Sequence, residues 1–291
     1  MAIFVASGAA GLIYQIVWSR ELVLVFGNTT QAVGTIVSAF MAGLGAGGLT
    51  GGLLCSRVRR PLLVYGLVEL ATGAAALAVP LGFHGISDVY ASAYDGASPL
   101  QLTLVRLILT MAVVTPVTFL MGLTLPLLTH HLVDSMRTAG RRMGMLYGAN
   151  TVGAMAGVLV SGLVLIELVG LSATAGVAVA LNLTCGTFAV VLGLGRPIHT
   201  QAPSAGRPAH EEDRAARLPG LRALLYVTTF VSGFVALALE VLWVRMLAEG
   251  TGGLIYNFVV ILAVYLLGVA LGGAAYRACS GARWDTPLAL A

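Results

Sequence analysis

Lysine is missing from this sequence: all sixteen basic residues are arginine, set against twelve acidic ones in 291 residues. Charge of either sign is scarce, at 10% of the chain, and the net +4 is spread over loops. That distribution argues for orientation in a membrane and against a nucleic-acid-binding face. Cysteine is nearly missing too. Cys55, Cys185 and Cys279 are an odd set lying in or beside apolar runs, so neither a disulfide framework nor a metal-binding spacing follows from them. The motifs of soluble enzymes are also lacking. No phosphate-binding glycine loop follows a strand, no zinc spacing occurs, and no nucleophile has its base in sequence reach, so no cofactor or metal is implied. The first apolar run has no basic leader, and its counterpart later in the chain is internal, so it is expected to stay as a helix and not to be a signal peptide.

What the chain has in excess is apolar surface. At 58% hydrophobic residues and a mean hydropathy of +0.94, no soluble domain of this length hides its side chains, and the solvent must be largely lipid. Backbone polar groups find no water in hydrocarbon, so the spans must be helices. About eight segments approach the roughly 20 apolar residues a span needs: 2–25, 30–54, 61–83, 103–129, 143–166, 170–194, 221–247 and 254–277. The expected fold is therefore all-α, a polytopic integral membrane helix bundle.

Arginine sets the sidedness. Arg57, Arg59 and Arg60 follow the second segment, Arg137, Arg141 and Arg142 the fourth, Arg196, Arg207, Arg214 and Arg217 the sixth, and Arg277 and Arg283 the eighth. The alternate loops 26–30, 84–102 and 167–169 hold Asp88, Asp95 and Glu167 but no arginine. By the positive-inside rule the N-terminus is expected on the cytoplasmic side of the inner membrane.

A repeat organises the segments. Between Ser7 and Gly52, residues recur without a gap 225 positions later: Ser7-Gly8 with Ser232-Gly233, Trp18 with Trp243, Arg20 with Arg245, Gly27 with Gly252, Gly43 with Gly268, and Gly47-Gly48 with Gly272-Gly273. Tryptophan and arginine in register carry more weight than glycine in so glycine-rich a chain. The reading is a six-helix membrane block over 1–195, a polar cytoplasmic linker over 196–220, and the first two helices of a second block over 221–291. That is the start of a major-facilitator-like 6+6 plan with parallel internal repeats.

Few polar residues lie within the spans. Gln15 and its repeat partner Glu240 stand five residues before Arg20 and Arg245, Glu69 two turns into the third segment, and Asn150 among small residues in the fifth. These four are the candidate cation or polar pathway, because an ionisable group in a span is costly and marks function by default. For Glu240 two readings stay open: a cation or proton site, or a structural acid neutralised by an arginine of a neighbouring helix such as Arg106. Arg20, Arg245 and Arg106 are the ion-pair candidates. Asn150 equally suits an interhelical hydrogen bond. Gly43, Gly47 and Gly51, with Gly268 and Gly272 in the repeat, are expected to let helices approach closely, either as plain packing or as a sliding surface. Pro116 and Pro126 are expected to kink the fourth helix, with His130 and His131 as an interfacial cap.

Three stretches carry a family resemblance: Tyr14-Gln15-Ile16-Val17-Trp18-Ser19-Arg20, Phe119 to Pro126 (FLMGLTLP), and Tyr147 to Ala154 (YGANTVGA). Together they resemble the membrane region of spermidine-synthase-like proteins fused to a multi-span, major-facilitator-like domain. The family pattern usually has Glu where Gln15 stands; here the acid is kept only by Glu240. The family's soluble aminopropyltransferase domain has no counterpart in these residues, so the resemblance does not extend to calling the chain a synthase. It implies a membrane module that binds or passes a small cation such as a polyamine, or that serves a cytoplasmic aminopropyltransferase-like domain. The alternative is a non-catalytic scaffold or accessory subunit of a larger membrane complex. The partners implied are the lipid bilayer and that domain or other membrane subunits, with no nucleic acid.

Single cysteines placed in 57–60, 137–142 and 196–220 of an otherwise cysteine-free chain should react with an impermeant maleimide from the cytoplasmic side. Cysteines in 84–102 should react from the opposite side, and the reverse result would invert the topology.

Overall fold

The structure, a computed structural model, describes residues 1–27, 30–94, 96, 98–132, 136–195, 219–251 and 254–279. These are all-helical: α1 (Ala2–Phe26), α2 (Thr30–Leu54), α3 (Pro61–Ala76), α4 (Val79–Tyr94), α5 (Pro99–Leu132), α6 (Met136–Val160), α7 (Ile166–Leu194), α8 (Pro219–Thr251) and α9 (Leu254–Cys279). A 3₁₀ turn over Cys55–Arg57 ends α2, and a π-helical turn over Ser161–Leu165 links α6 to α7. Six stretches are long and apolar enough to cross a bilayer, seven when the bent pair α3–α4 is taken as one span. One of the six, 142–194, has 53 residues. At 1.5 Å per residue it would be about 80 Å long against a hydrocarbon core of about 30 Å. It is broken at Gly170, whose φ of 82° and ψ of 176° are non-helical and sit in a region only glycine enters freely. The linker expected over 196–220 lies outside the described residues except for its last two, which belong to α8.

The third segment differs from its expected bounds. The helix bends by 41° between α3 and α4, and helix then continues to Tyr94 where a loop from 84 was expected. Mean hydropathy falls over this stretch, but Val79, Phe83, Ile86 and Tyr90 are all buried. Their spacing makes a single buried apolar stripe on a helix whose exposed positions mix His84, Ser87 and Asp88 with Leu81 and Val89. A capping box then starts α5: the Ser98 amide donates to Gln101 Oε1 at 2.8 Å, and the Gln101 amide to Ser98 Oγ at 3.4 Å, with Pro99 at the first helical position. Both Pro116 and Pro126 lie inside α5, which runs on as one element through them.

Contact between the helices is made by glycine. A Cβ on Gly47 would lie 2.0 Å from the Phe119 carbonyl oxygen, one on Gly43 1.8 Å from Thr118 Oγ1, and one on Gly51 3.1 Å from the Pro126 ring. The residue numbers rise together, so α2 and α5 run parallel. On α6, Cβ atoms at Gly153 and Gly157 would meet the carbonyl oxygens of Val5 and Ala9 at 1.9 and 2.4 Å, so α1 and α6 are parallel too. Gly66 and Gly73 of α3 face Gly186 and Asn182 of α7 with the numbers running oppositely. Further contacts join α1 to α7 and α3 to α5. Exchanging α1, α2 and α3 with α5, α6 and α7 in turn maps this set of contacts onto itself: α1–α6 becomes α5–α2, α1–α7 becomes α5–α3, and α3–α7 is unchanged.

The aromatic core lies where α1 meets α2. Trp18 stacks on Tyr14 at 5.0 Å between ring centroids and tilts against Phe40 at 6.4 Å. The repeat partner Trp243 is 51% exposed, against 1% for Trp18. α8 touches α2 and α9, and α9 lies on α6, where Val259 fills the space beside Gly162 in the π-helical turn. The packing role expected of Gly268 and Gly272 has no partner among the described residues: a Cβ at either meets nothing within 4 Å.

Gly47→Ala should cost about 1–3 kcal/mol of stability, the usual range for overpacking. Gly268→Ala should be neutral or stabilising, because alanine is the better helix former. Thermal melts in detergent, followed by size-exclusion chromatography, read both; equal melting points would show that the α2–α5 contact is not tight.

Candidate functional site

Glu69 is the acid that the fold surrounds. It faces inward from α3, about two turns from Pro61, and is fully buried. Two helices donate to it. Ser7 Oγ on α1 donates to Oε1 at 2.5 Å, and Asn182 Nδ2 on α7 donates to Oε2 at 2.5 Å. Both carboxylate oxygens act as acceptors, so one side chain ties α1, α3 and α7 together. Hydrogen bonds to a charged acceptor are the stronger kind, and in hydrocarbon the alternative is an unsatisfied group.

Glu69 lines a cavity of about 390 Å³ among α1, α2, α3, α5, α6 and α7, with Ser7, Asn150 and Asn182 also on its wall. Most of the remaining wall is apolar, including Phe4, Phe40, Leu44 and Met121. Among the described residues no arginine, histidine or second acid lines it. Its depth follows from helix positions. Ser7 stands early in α1, with Asn150 packed at the level of Gly8, and Gly48 and Thr124 stand late in helices that end on the same face. The cavity therefore lies in the half of the bundle nearest the N-terminus, on the face that carries Arg57, Arg59 and Arg60.

Several polar atoms on the wall are acceptors, beside the Tyr147 hydroxyl and the Asn150 amide, which can also donate. The hydroxyls of Thr72 and Thr124 are committed to their own helix, donating to the carbonyls of Val68 at 2.8 Å and Met121 at 2.7 Å, which leaves oxygen lone pairs. Asn182 uses its amide nitrogen on Glu69, and its Oδ1, buried, has no hydrogen-bond partner among the described residues. Asn150 presses its side-chain carbonyl toward α1, where a Cβ on Gly8 would lie 2.7 Å from Oδ1. An acceptor-rich, apolar cavity with one carboxylate suits a cationic donor.

The other expected site residues lie elsewhere. Gln15 is fully buried on α1 with neither amide atom hydrogen-bonded among the described residues, and it does not reach the cavity. Glu240 is buried on α8, its Oε1 unpartnered, and likewise lies off the cavity wall. None of the three arginines meets it. Arg106 donates to the Tyr90 hydroxyl, from Nε at 2.9 Å and also from Nη2, and lies over the Tyr90 and Phe26 rings. Arg20 lies 5.0 Å over the Tyr256 ring, whose hydroxyl donates to Glu167 Oε1 at 2.5 Å. Arg245 makes an exposed pair with Glu249 at 3.6 Å. Glu69 and Asn150 are thus brought together, and Gln15 and Glu240 are not joined to them.

Sequence reasoning passed over Ser7 and Asn182 as polar partners. Asn182 carried a usable signal, because it is the one amide side chain in its span, as Asn150 is in its own. Ser7 carried none, since serine is common in helices and commonly bonds its own backbone.

No family model, curated protein or solved structure matches the chain.

Ser7→Ala and Asn182→Leu should each destabilise the protein by about 1–3 kcal/mol, the cost of leaving one buried partner unmet. Because both act on Glu69, the double variant should depart from additivity by about 0.5–3 kcal/mol. Denaturation of the four proteins of the cycle measures this, and strict additivity would mean that the two bonds are independent.

Proposed function

We propose that this protein is a membrane module that binds a small organic cation in the cavity around Glu69, with the six-helix block serving as one half of a two-block, major-facilitator-like plan. One observation carries the cation reading: a fully buried carboxylate on an acceptor-rich cavity wall that holds no cationic side chain. Intramembrane acids that face a cavity mark ion and substrate paths.

The architecture is supported by the helix contacts. Dividing 142–194 at Gly170 and counting α3–α4 as one bent span gives eight spans. The contact set that survives exchange of the first three spans with the next three is what an inverted repeat of 3+3 spans produces, as in each half of major-facilitator proteins. The 225-residue repeat, in which α8–α9 echoes α1–α2, supports a second block. The arginines grouped near the cavity face support placing that face in the cytoplasm of a cell with the protein in its inner membrane. The resemblance to the membrane region of spermidine-synthase-like fusions supports a polyamine as the cation, or a cytoplasmic aminopropyltransferase-like domain as the module's client.

A scaffold role is the second reading, favoured by the glycine contacts that hold α2 on α5 and α1 on α6 against rearrangement. Titration of the purified protein with spermidine, putrescine and n-butylamine separates the two. Saturable binding of at least one amine, weakened at least tenfold in Glu69→Gln and unchanged in Glu240→Gln, is the expected result. Absence of binding by all three would leave the scaffold reading.

A further inference from the structure

We infer that the Glu69 cavity takes a ligand with a single primary ammonium on an apolar body, in preference to a diamine or polyamine. This rests on the cation reading above and replaces the polyamine suggested there with a monoamine. The charge count is the first reason. Among the described residues one carboxylate lines the cavity and no second acid does. A first ammonium is neutralised by Glu69. A second one held inside the same walls has no counter-charge, and an uncompensated buried charge costs several kcal/mol. A short diamine cannot avoid that cost, because Glu69 stands about two turns, or about 12 Å, from the start of its helix.

The acceptor geometry is the second reason, and it favours a primary ammonium over a quaternary one. A primary ammonium has three N–H donors to place. Ser7, Asn182 and the Tyr65 hydroxyl all address Glu69, whose two oxygens offer about four lone pairs, so one stays open to a ligand. Beside it lies Asn182 Oδ1, buried and without a hydrogen-bond partner among the described residues, held next to the carboxylate by the bond that the same amide makes through Nδ2. The Thr72 oxygen, one turn along α3 from Glu69, offers a third acceptor, because its proton is committed to Val68. A quaternary ammonium satisfies none of these.

The remaining wall supplies the third reason. Phe4, Leu12, Phe40, Leu44, Met121 and Leu125 present apolar surface to the same space. Phe4 is fixed against Tyr65 at 6.5 Å and Phe40 against Trp18 at 6.4 Å, so the two rings are held in place. An alkyl or aryl body gains burial there at about 25 cal/mol per Å², whereas a chain interrupted by further ammonium groups gains less and loses their hydration.

The test compares n-hexylamine, 1,6-diaminohexane, hexan-1-ol and spermidine on the full chain, by isothermal titration in detergent with the detergent-alone signal subtracted. The expected result is n-hexylamine binding at least tenfold more tightly than 1,6-diaminohexane, with hexan-1-ol not binding. Glu69→Gln should abolish the n-hexylamine signal, and Leu44→Asp, which adds an acid across the cavity, should move the preference toward the diamine. The monoamine-to-diamine ratio is read on the unaltered protein, so the inference stands or falls even when a variant does not fold. Spermidine or diaminohexane binding more tightly than n-hexylamine would overturn the single-ammonium inference and leave the cation reading standing. Equal binding of hexan-1-ol and n-hexylamine, or no binding by any of the four, would overturn both.

Discussion

Close approach of backbones is the constraint from which the rest of this molecule follows. In lipid the hydrophobic effect does not drive helices together, so association depends on packing and on polar contacts between them. Here α2 and α5 meet where Gly43, Gly47 and Gly51 let the α5 backbone in, and α1 and α6 meet where Gly153 and Gly157 admit the carbonyls of Val5 and Ala9. α3 and α7 cross at Gly66 and Gly186. With backbones this close at the crossings, larger side chains are displaced to either side. The cavity forms there, between the tight pairs and bounded by all six helices.

Glu69 uses the second kind of force. Its carboxylate accepts from Ser7 and Asn182, and so joins α1, α3 and α7 at one depth. A buried charge of this kind is poor evidence of net stability, because desolvation offsets much of the attraction. It does specify which helix faces meet, since a rotation of α7 by one residue would remove Asn182 from the contact. The same arrangement leaves Asn182 Oδ1 buried without a hydrogen-bond partner among the described residues. The side chain that joins the three helices is also the one acid on the described cavity wall, so a variant at Glu69 changes both the helix contacts and the wall.

The stretch whose sequence echoes α1 and α2 shows how far environment governs a residue's role. Trp18 and Trp243 occupy matching positions, yet one is enclosed by Tyr14 and Phe40 and the other is half exposed. Gly47 is pressed against α5, and its counterpart Gly272 touches nothing among the described residues. α1 and α2 stand inside a six-helix block, whereas α8 and α9 lie at its edge, against each other, α2, the face of α6 around its π-helical turn, and Arg20 and Glu167 through Tyr256.

The sequence by itself determined that this is a membrane protein made of helices, where most of them start and stop, and that Glu69 and Asn150 merit attention. Those conclusions rest on hydropathy summed over about 20 residues and on the cost of charge in hydrocarbon, both of which are properties of a local window. The tertiary structure decided what no window contains. It extended the third span through the bend into α4, because the stripe of Val79, Phe83, Ile86 and Tyr90 finds a core to pack against despite low mean hydropathy. It sent Arg106 to Tyr90 and Arg20 to Tyr256, and placed Glu240 away from both. It also joined Ser7, Glu69 and Asn182 across 62 and 113 positions of the chain. Partners so far apart are chosen by how helices pack, and a helical sequence states its apolar faces without stating which face of which other helix each will meet.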